Sequence, residues 1–120
     1  MAGCAACSNT DTHRAHVKDK AVLISEGKKH DFFNIIHLCP VCHHNFFDEG
    51  RMALLIEEKK FLVLKKIPKR IIEERDFKRK VSVKPEYIDW KNEQCHYFLK
   101  AELRKRKRSA DNSAMNCVAP

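Results

Sequence analysis

The sequence has little of what loosens or breaks regular structure: three glycines and four prolines in 120 residues. That scarcity excludes collagen-like and low-complexity chains. Long apolar runs are also missing; none approaches the ~20 residues that a membrane-spanning helix needs. The stretch MAGCAACSNTDTHR lacks the apolar centre of a signal peptide. The expectation is a soluble, cytoplasmic protein with no membrane partner. Acidic residues are in deficit, 16 against 24 Lys+Arg, which leaves a net charge of +8. A chain this basic suits a polyanion, either nucleic acid or an acidic membrane surface. Its length fits one compact domain and not two.

What is present in excess is paired cysteine. Four of the six cysteines fall into two C-x-x-C pairs, Cys4/Cys7 and Cys39/Cys42. One such pair is compatible with a redox dithiol or with chance. Two pairs can point four thiolates at one ion, the tetrahedral arrangement zinc prefers, so a structural Zn²⁺ is the expected ligand. Cys95 and Cys117 have no partner motif and read as ordinary thiols, one packed in a helix and one in a tail.

Periodicity gives a mixed chain. A short strand is expected within 12–18, then a short element with the apolar patch Ala21 to Ile24, a loop, and a strand over 33–38. Pro40 suits the first turn of a helix running through Phe47 and stopping near Gly50. Residues 52–66 read as a hairpin, with turn residues Glu57 to Lys60 between two apolar runs. The segment 69–84 is dense in charge, and Val81 and Val83 suggest a short strand. A single helix is expected over 86–107, with Tyr87, Trp90, Tyr97, Phe98 and Ala101 on its apolar face and Ile88 and Leu103 beside them. Phe46, Phe47, Trp90 and Phe98 are expected in the core. The division expected is a zinc-stapled core with hairpin at 1–66, a basic extension at 67–108 in the same compact domain, and a disordered tail at 109–120.

Histidines crowd the segment that the two cysteine pairs bound, His13, His16 and His37 among those within it and His43 and His44 just beyond. Their order is Ala15-His16-Val17, then Asn34-Ile35-Ile36-His37-Leu38-Cys39-Pro40-Val41-Cys42-His43. This resembles the HNH, or ββα-metal, nucleases, which show an H-[I/V] strand end, a later N-x-x-x-L-C-x-x-C-H and an optional four-cysteine zinc. The continuation through Phe46-Phe47-Asp48-Glu49-Gly50 is similar to a C-H-x-x-F-D-x-G subgroup common among restriction-type enzymes. The resemblance covers residues 4–66. It implies an α+β fold: a ββα-metal core with a zinc knuckle, a following β-hairpin and a C-terminal helix.

The resemblance also implies roles. His16 matches the general base that takes a proton from the attacking water. Asn34 matches the residue that braces the loop holding that base. His43 matches a ligand of a second, catalytic ion, Mg²⁺ or Mn²⁺. The residue before the base is commonly a further ligand, but here it is Ala15, which cannot coordinate. His13, two residues earlier on the same strand face, is preferred as the helper over Asp48, which lies more than one α-helical turn beyond His43. His37 and His44 have no family role, and a structural role is preferred for each. Arg14, Lys28, Lys29 and the run Arg104, Lys105, Arg106, Lys107 and Arg108 are candidate DNA contacts. The lysine loop is equally readable as a solvated insertion, and the basic run as a solvated helix end.

The function expected is a divalent-metal-dependent endonuclease of restriction type that cuts double-stranded DNA. A homodimer, joined partly through Tyr87, Trp90 and Phe98, would cut both strands. The alternatives are a non-specific or structure-specific HNH nuclease and a zinc-ribbon DNA-binding module without catalysis.

Overall fold

A computed structural model describes residues 3–28, 31–66 and 69–118, with side chains as far as Lys107. The architecture is α+β, with two small antiparallel sheets and a few helices. The first sheet pairs β1 (His13–His16) with β2 (Ile35–Leu38), His13 opposite Leu38 and His16 opposite Ile35. Between them lie α1 (Lys20–Ser25) and a 3₁₀ turn, Phe32–Asn34. The strand expected over 33–38 therefore starts two residues later. Asp31 accepts the Phe33 backbone N–H at 2.9 Å and winds the chain into that turn first. A helical segment follows at 40–47.

The second sheet runs β3 (Met52–Leu55), β4 (Lys60–Lys65) and β5 (Ile71–Asp76). The expected hairpin is present, with Met52 opposite Val63 and Leu55 opposite Lys60. β4 is buried on both faces. Phe61 and Val63 join the core that reaches the cysteine pairs, and Leu62 and Leu64 join a second core with Cys95 and Leu99. A strand buried on both sides reads as a continuous apolar run rather than as an alternation.

The strand expected at Val81–Val83 is absent, and its place in the sheet is taken by Ile71–Asp76. The charged look of that segment concealed it. Charges suit an edge strand, where they oppose further pairing, and here they find cross-strand partners: Lys60 with Glu74 at 3.8 Å, and Lys65 with Glu73.

The single helix expected over 86–107 is two, α2 (Pro85–Glu93) and α3 (Tyr97–Val118). The break has a tertiary cause. The Gly50 carbonyl accepts the His96 backbone N–H, and Cys95 is buried with its thiol donating to the Met52 carbonyl at 3.4 Å. Gly50 has φ +67°, and a Cβ there would meet the Gln94 carbonyl oxygen at 2.7 Å, so the close approach requires glycine. One turn earlier, Asn92 lies against the outer edge of β3. Its amide oxygen accepts the Leu54 N–H and its amide nitrogen donates to the Leu54 carbonyl, both at 3.0 Å.

The break also rearranges the apolar face. Tyr87, Ile88 and Leu99 are buried, Trp90 is half-buried, and Tyr97 and Phe98 are exposed. Of the aromatics expected in the core, Phe47 is there, Phe46 is half-buried and Phe98 is not in it. Tyr87 is packed inside with its hydroxyl on Asp31 at 2.9 Å, so it cannot belong to the dimer face drawn from the sequence. The tail expected at 109–120 falls where side chains lie outside the described residues; the backbone of α3 is helical to Val118. Among the described residues, no helix is long and apolar enough to cross a membrane.

Candidate metal centres

The first centre is the four-cysteine cluster. The sulfurs of Cys4, Cys7, Cys39 and Cys42 all lie within 4.8 Å of one another, and those of Cys7 and Cys39 are 3.5 Å apart. Four sulfurs at about 2.3 Å from a tetrahedral zinc would stand about 3.8 Å from each other. The cluster can therefore hold a metal such as zinc. Backbone N–H groups already point at it, Ala6 to the Cys4 sulfur and Cys42 to the Cys39 sulfur, each at 3.4 Å. These donors favour thiolate over thiol. Burial, reinforced by the neighbouring Cys39 and Cys4 sulfurs, pushes the Cys42 thiol up; a bound cation reverses that balance. The Arg75 guanidinium stands 3.7 Å from the Cys42 sulfur, a cation placed against what would be a net-negative four-thiolate site. Sequence reasoning missed Arg75 because β5 was not recognised as a strand.

Cys95 plays no part in this cluster. Burial pushes its thiol up to about 12, so it stays protonated. Cys117 has a side chain outside the described residues.

The second centre is imidazole. His13, His43 and His44 each offer a ring nitrogen, and these atoms lie within 4.8 Å of one another. The Nδ1 atoms of His13 and His43 are 3.5 Å apart, and the His43 and His44 rings stack with centroids 4.4 Å apart. Asp48 closes the group, 3.4 Å from His43 Nε2 and 3.2 Å from His44 Nδ1.

The helical segment explains this grouping. Residues Cys42–Phe47 form a π-helical turn, in which N–H groups bond five residues back, and the Asp48 N–H donates to the His43 carbonyl at 2.9 Å. In an α-helix Asp48 would overlie His44 alone. The wider turn brings it to His43 as well. His13 arrives from β1, whose inward face continues through buried Ala15. His13 and Asp48, weighed as alternatives from the sequence, are thus both beside His43, and His44 joins them. Burial lowers the pKa of His43; Asp48 opposes this, and His44 and His13 add to it. His43 is held in the neutral form that binds metal.

A cleft of about 380 Å³ adjoins this group, lined by Asp19, Asp48, Glu49, Trp90, Lys91 and others. Lys91 is nearly fully buried, with its ammonium 4.2 Å from the Phe47 ring centre. Burial pushes its pKa down, and Asp19 and Asp48 pull it back up. No sequence pattern singled out Lys91; only the fold places it opposite Asp48.

His16 is not in the imidazole cluster. It ends β1, three residues from His13, and strand alternation puts it on the other face together with Arg14. The turn after it is clamped by Asn34, which is completely buried. Asn34 Oδ1 accepts the Lys18 N–H at 2.7 Å, and its Nδ2 donates to the Lys18 carbonyl at 2.8 Å. Its own carbonyl takes the Val17 N–H at 2.9 Å. Replacing Asn34 with Ala strands the two polar backbone groups of Lys18, which are partly buried. The expected cost is about 1–3 kcal/mol, measured as a fall in the urea midpoint at unchanged slope. An unchanged midpoint would mean the clamp has no energetic weight.

The basic candidates are scattered. Arg14, Arg104, Lys105 and Lys107 are exposed. Lys28 is exposed and 3.8 Å from Glu26. Arg106 is occupied: it meets Glu74 at 2.9 Å, Glu102 at 3.2 Å and Glu58 at 3.9 Å, tying α3 to the second sheet. Arg106 is a structural contact and not a free phosphate donor. Lys29 lies outside the described residues, as does the Arg108 side chain. Comparison with known protein families, with characterised proteins and with solved structures gives no match.

Proposed function

We propose that this chain is a divalent-metal-dependent DNA endonuclease built on a ββα-metal scaffold, with a structural zinc at the four cysteines. The observation that carries the reading is the imidazole cluster. His13, His43 and His44, with Asp48 beside them, converge where an antiparallel strand pair meets the helical segment that follows it. A four-cysteine cluster anchors the same helical segment, in a chain of net charge +8.

His13, His43 and His44 would hold the ion, with Asp48 beside His43 and His44 to orient their rings. Three imidazoles suit a first-row transition ion better than Mg²⁺, which favours all-oxygen sites, and Mn²⁺ is the one among these that also takes phosphate and water oxygens readily. When bound, the ion supplies charge to offset that developing on the scissile phosphate. The remaining roles belong to the chain. His16 accepts a proton from the attacking water. Asn34 fixes the turn from which His16 projects. Arg14 and the exposed basic residues of α3 draw in the phosphate backbone. One such site cuts one strand, so a double-strand break requires two copies of the chain acting together.

The test is cleavage of supercoiled plasmid by the purified protein with Mn²⁺, Mg²⁺ or Ca²⁺ added. Nicked or linear product is expected with Mn²⁺, and His43→Ala should reduce it at least about 100-fold, the lower end of what a lost catalytic group costs. Discrete fragments identify a sequence-specific enzyme, and a smear a non-specific one. DNA binding without cutting under every metal would overturn the nuclease reading in favour of a zinc-ribbon binding module.

A further inference from the structure

The outer face of the first sheet carries Arg14 opposite His37 and His16 opposite Ile35, while Ala15 and Ile36 face inward and are buried. Beside it stands Phe32, 77% exposed. Arg14, Phe32, Ile35 and His37 enclose a cleft of about 230 Å³, room for a nucleobase. A large exposed aromatic on a mobile loop would mean little. Phe32 sits on a turn that is fixed from several sides. Asp31 receives the Phe33 N–H at 2.9 Å, the Tyr87 hydroxyl at 2.9 Å and the Lys84 ammonium at 2.6 Å. The Lys84 N–H donates to the Phe33 carbonyl at 2.9 Å. Lys84 and the other donors hold the Asp31 carboxyl down to about 2, so this anchor stays charged at any working pH. The fold thus orders a turn whose outward result is an aromatic face next to a cation. Stacking surfaces with adjacent positive charge are how proteins hold unpaired bases. Duplex DNA keeps its bases stacked and offers such a surface nothing.

We propose that this cleft is a subsite for an unpaired DNA base, which stacks on Phe32 while Arg14 and His37 meet its phosphates. The subsite rests on the nuclease reading and narrows its substrate. The preferred DNA has single-stranded or splayed nucleotides at the cut, and the backbone of the stacked nucleotide runs along β1 past His16. Specificity then depends on DNA structure and not on the reading of an intact duplex.

The test measures binding rather than cutting. Full-length protein, with no divalent ion added, is titrated into a fluorescein-labelled 20-nucleotide single strand and into the corresponding duplex, for the wild type, Phe32→Ala and Phe32→Tyr. The wild type should prefer the single strand. Phe32→Ala should weaken single-strand binding roughly 5- to 150-fold, the range for one lost base-stacking contact. Duplex binding should change less than about two-fold, and the salt dependence should stay the same because no phosphate contact is removed. Phe32→Tyr should restore the affinity. Equal losses on both DNAs, no loss on the single strand, or no binding to either would overturn the subsite. Phe32-dependent binding in a protein that cuts no plasmid would uphold the subsite and sink the nuclease reading, so the two fail separately. An RNA strand of the same sequence, bound more tightly than the DNA strand, would overturn the assignment to DNA.

Discussion

Cys39→Ser should lose its metal and, with it, a cooperatively folded domain at 25 °C. The sulfur of Cys39 lies 3.5 Å from that of Cys7, receives the Cys42 N–H, and is buried. Serine keeps the shape but supplies no thiolate. A structural zinc contributes about 10–16 kcal/mol to the folding of small zinc-dependent domains. The whole net stability of a domain is only about 5–15 kcal/mol, so loss of the ion exceeds what the rest of the core can offset. Apart from the ion, the N-terminal knuckle is held by burial of the small residues Cys4, Ala5 and Ala6 and by backbone bonds from Ala5 to the His37 carbonyl and from Lys78 to the Ala5 carbonyl. Metal analysis of the wild type should give one zinc per chain, counting this site alone, and Cys39→Ser close to none. Cys95→Ser is the control: it alters a buried thiol remote from the cluster and should keep the zinc. A Cys39→Ser protein with the wild-type metal content and thermal midpoint would show that the four sulfurs do not share an ion. Because Cys42 and His43 are neighbours on one helical turn, loss of zinc should also scatter the imidazole cluster and abolish any metal-dependent activity.

The cysteine centre was legible because two C-x-x-C pairs carry their geometry in their spacing, whatever lies between them. Asn34 was legible only through resemblance; that its amide clamps both polar groups of Lys18 emerges from the folded chain. The imidazole centre was half visible. Counting α-helical turns separates Asp48 from His43, and only the π-helical turn brings them to 3.4 Å. Such a turn has no strong local signature, since it is one residue wider than the helix around it. The same reading undervalued His44, which has a clear side-chain partner only once Asp48 sits above the turn. In the second half, local pattern competed with tertiary contact and lost. Ile71–Asp76 looks like a solvated charge run until β4 supplies cross-strand lysines, and 86–107 looks like one helix until Gly50 and Met52 capture the chain at Cys95 and His96. Lys91 and Phe32 follow from no motif; burial marks the first and exposure the second.

Replacing His16 with Ala separates an enzyme from a binding module and tests the part of the reading that geometry leaves most exposed. His16 stands on the opposite face of β1 from His13, so it is not a fourth ligand of the imidazole cluster. Its removal should leave metal binding at that cluster intact. It should also leave the fold intact, because Asn34 fixes the neighbouring turn through the backbone of residues 17 and 18. DNA binding rests on many basic side chains, so affinity and its decline with salt should change little. Cleavage, if His16 is the base, should fall by about two to four orders of magnitude. His44→Ala should give a different signature: weaker metal affinity, with activity partly recovered at high Mn²⁺. The decisive comparison is a cleavage time course across Mn²⁺ concentration for the wild type, His16→Ala and His44→Ala, with a gel shift on each preparation. The His16 variant should stay slow at every metal concentration, while the His44 variant should climb. If His16→Ala cuts at the wild-type rate, His16 is not the proton acceptor. The neighbouring candidate is then Lys91, buried against Phe47 and facing Asp48, whose lowered pKa brings its neutral form within closer reach.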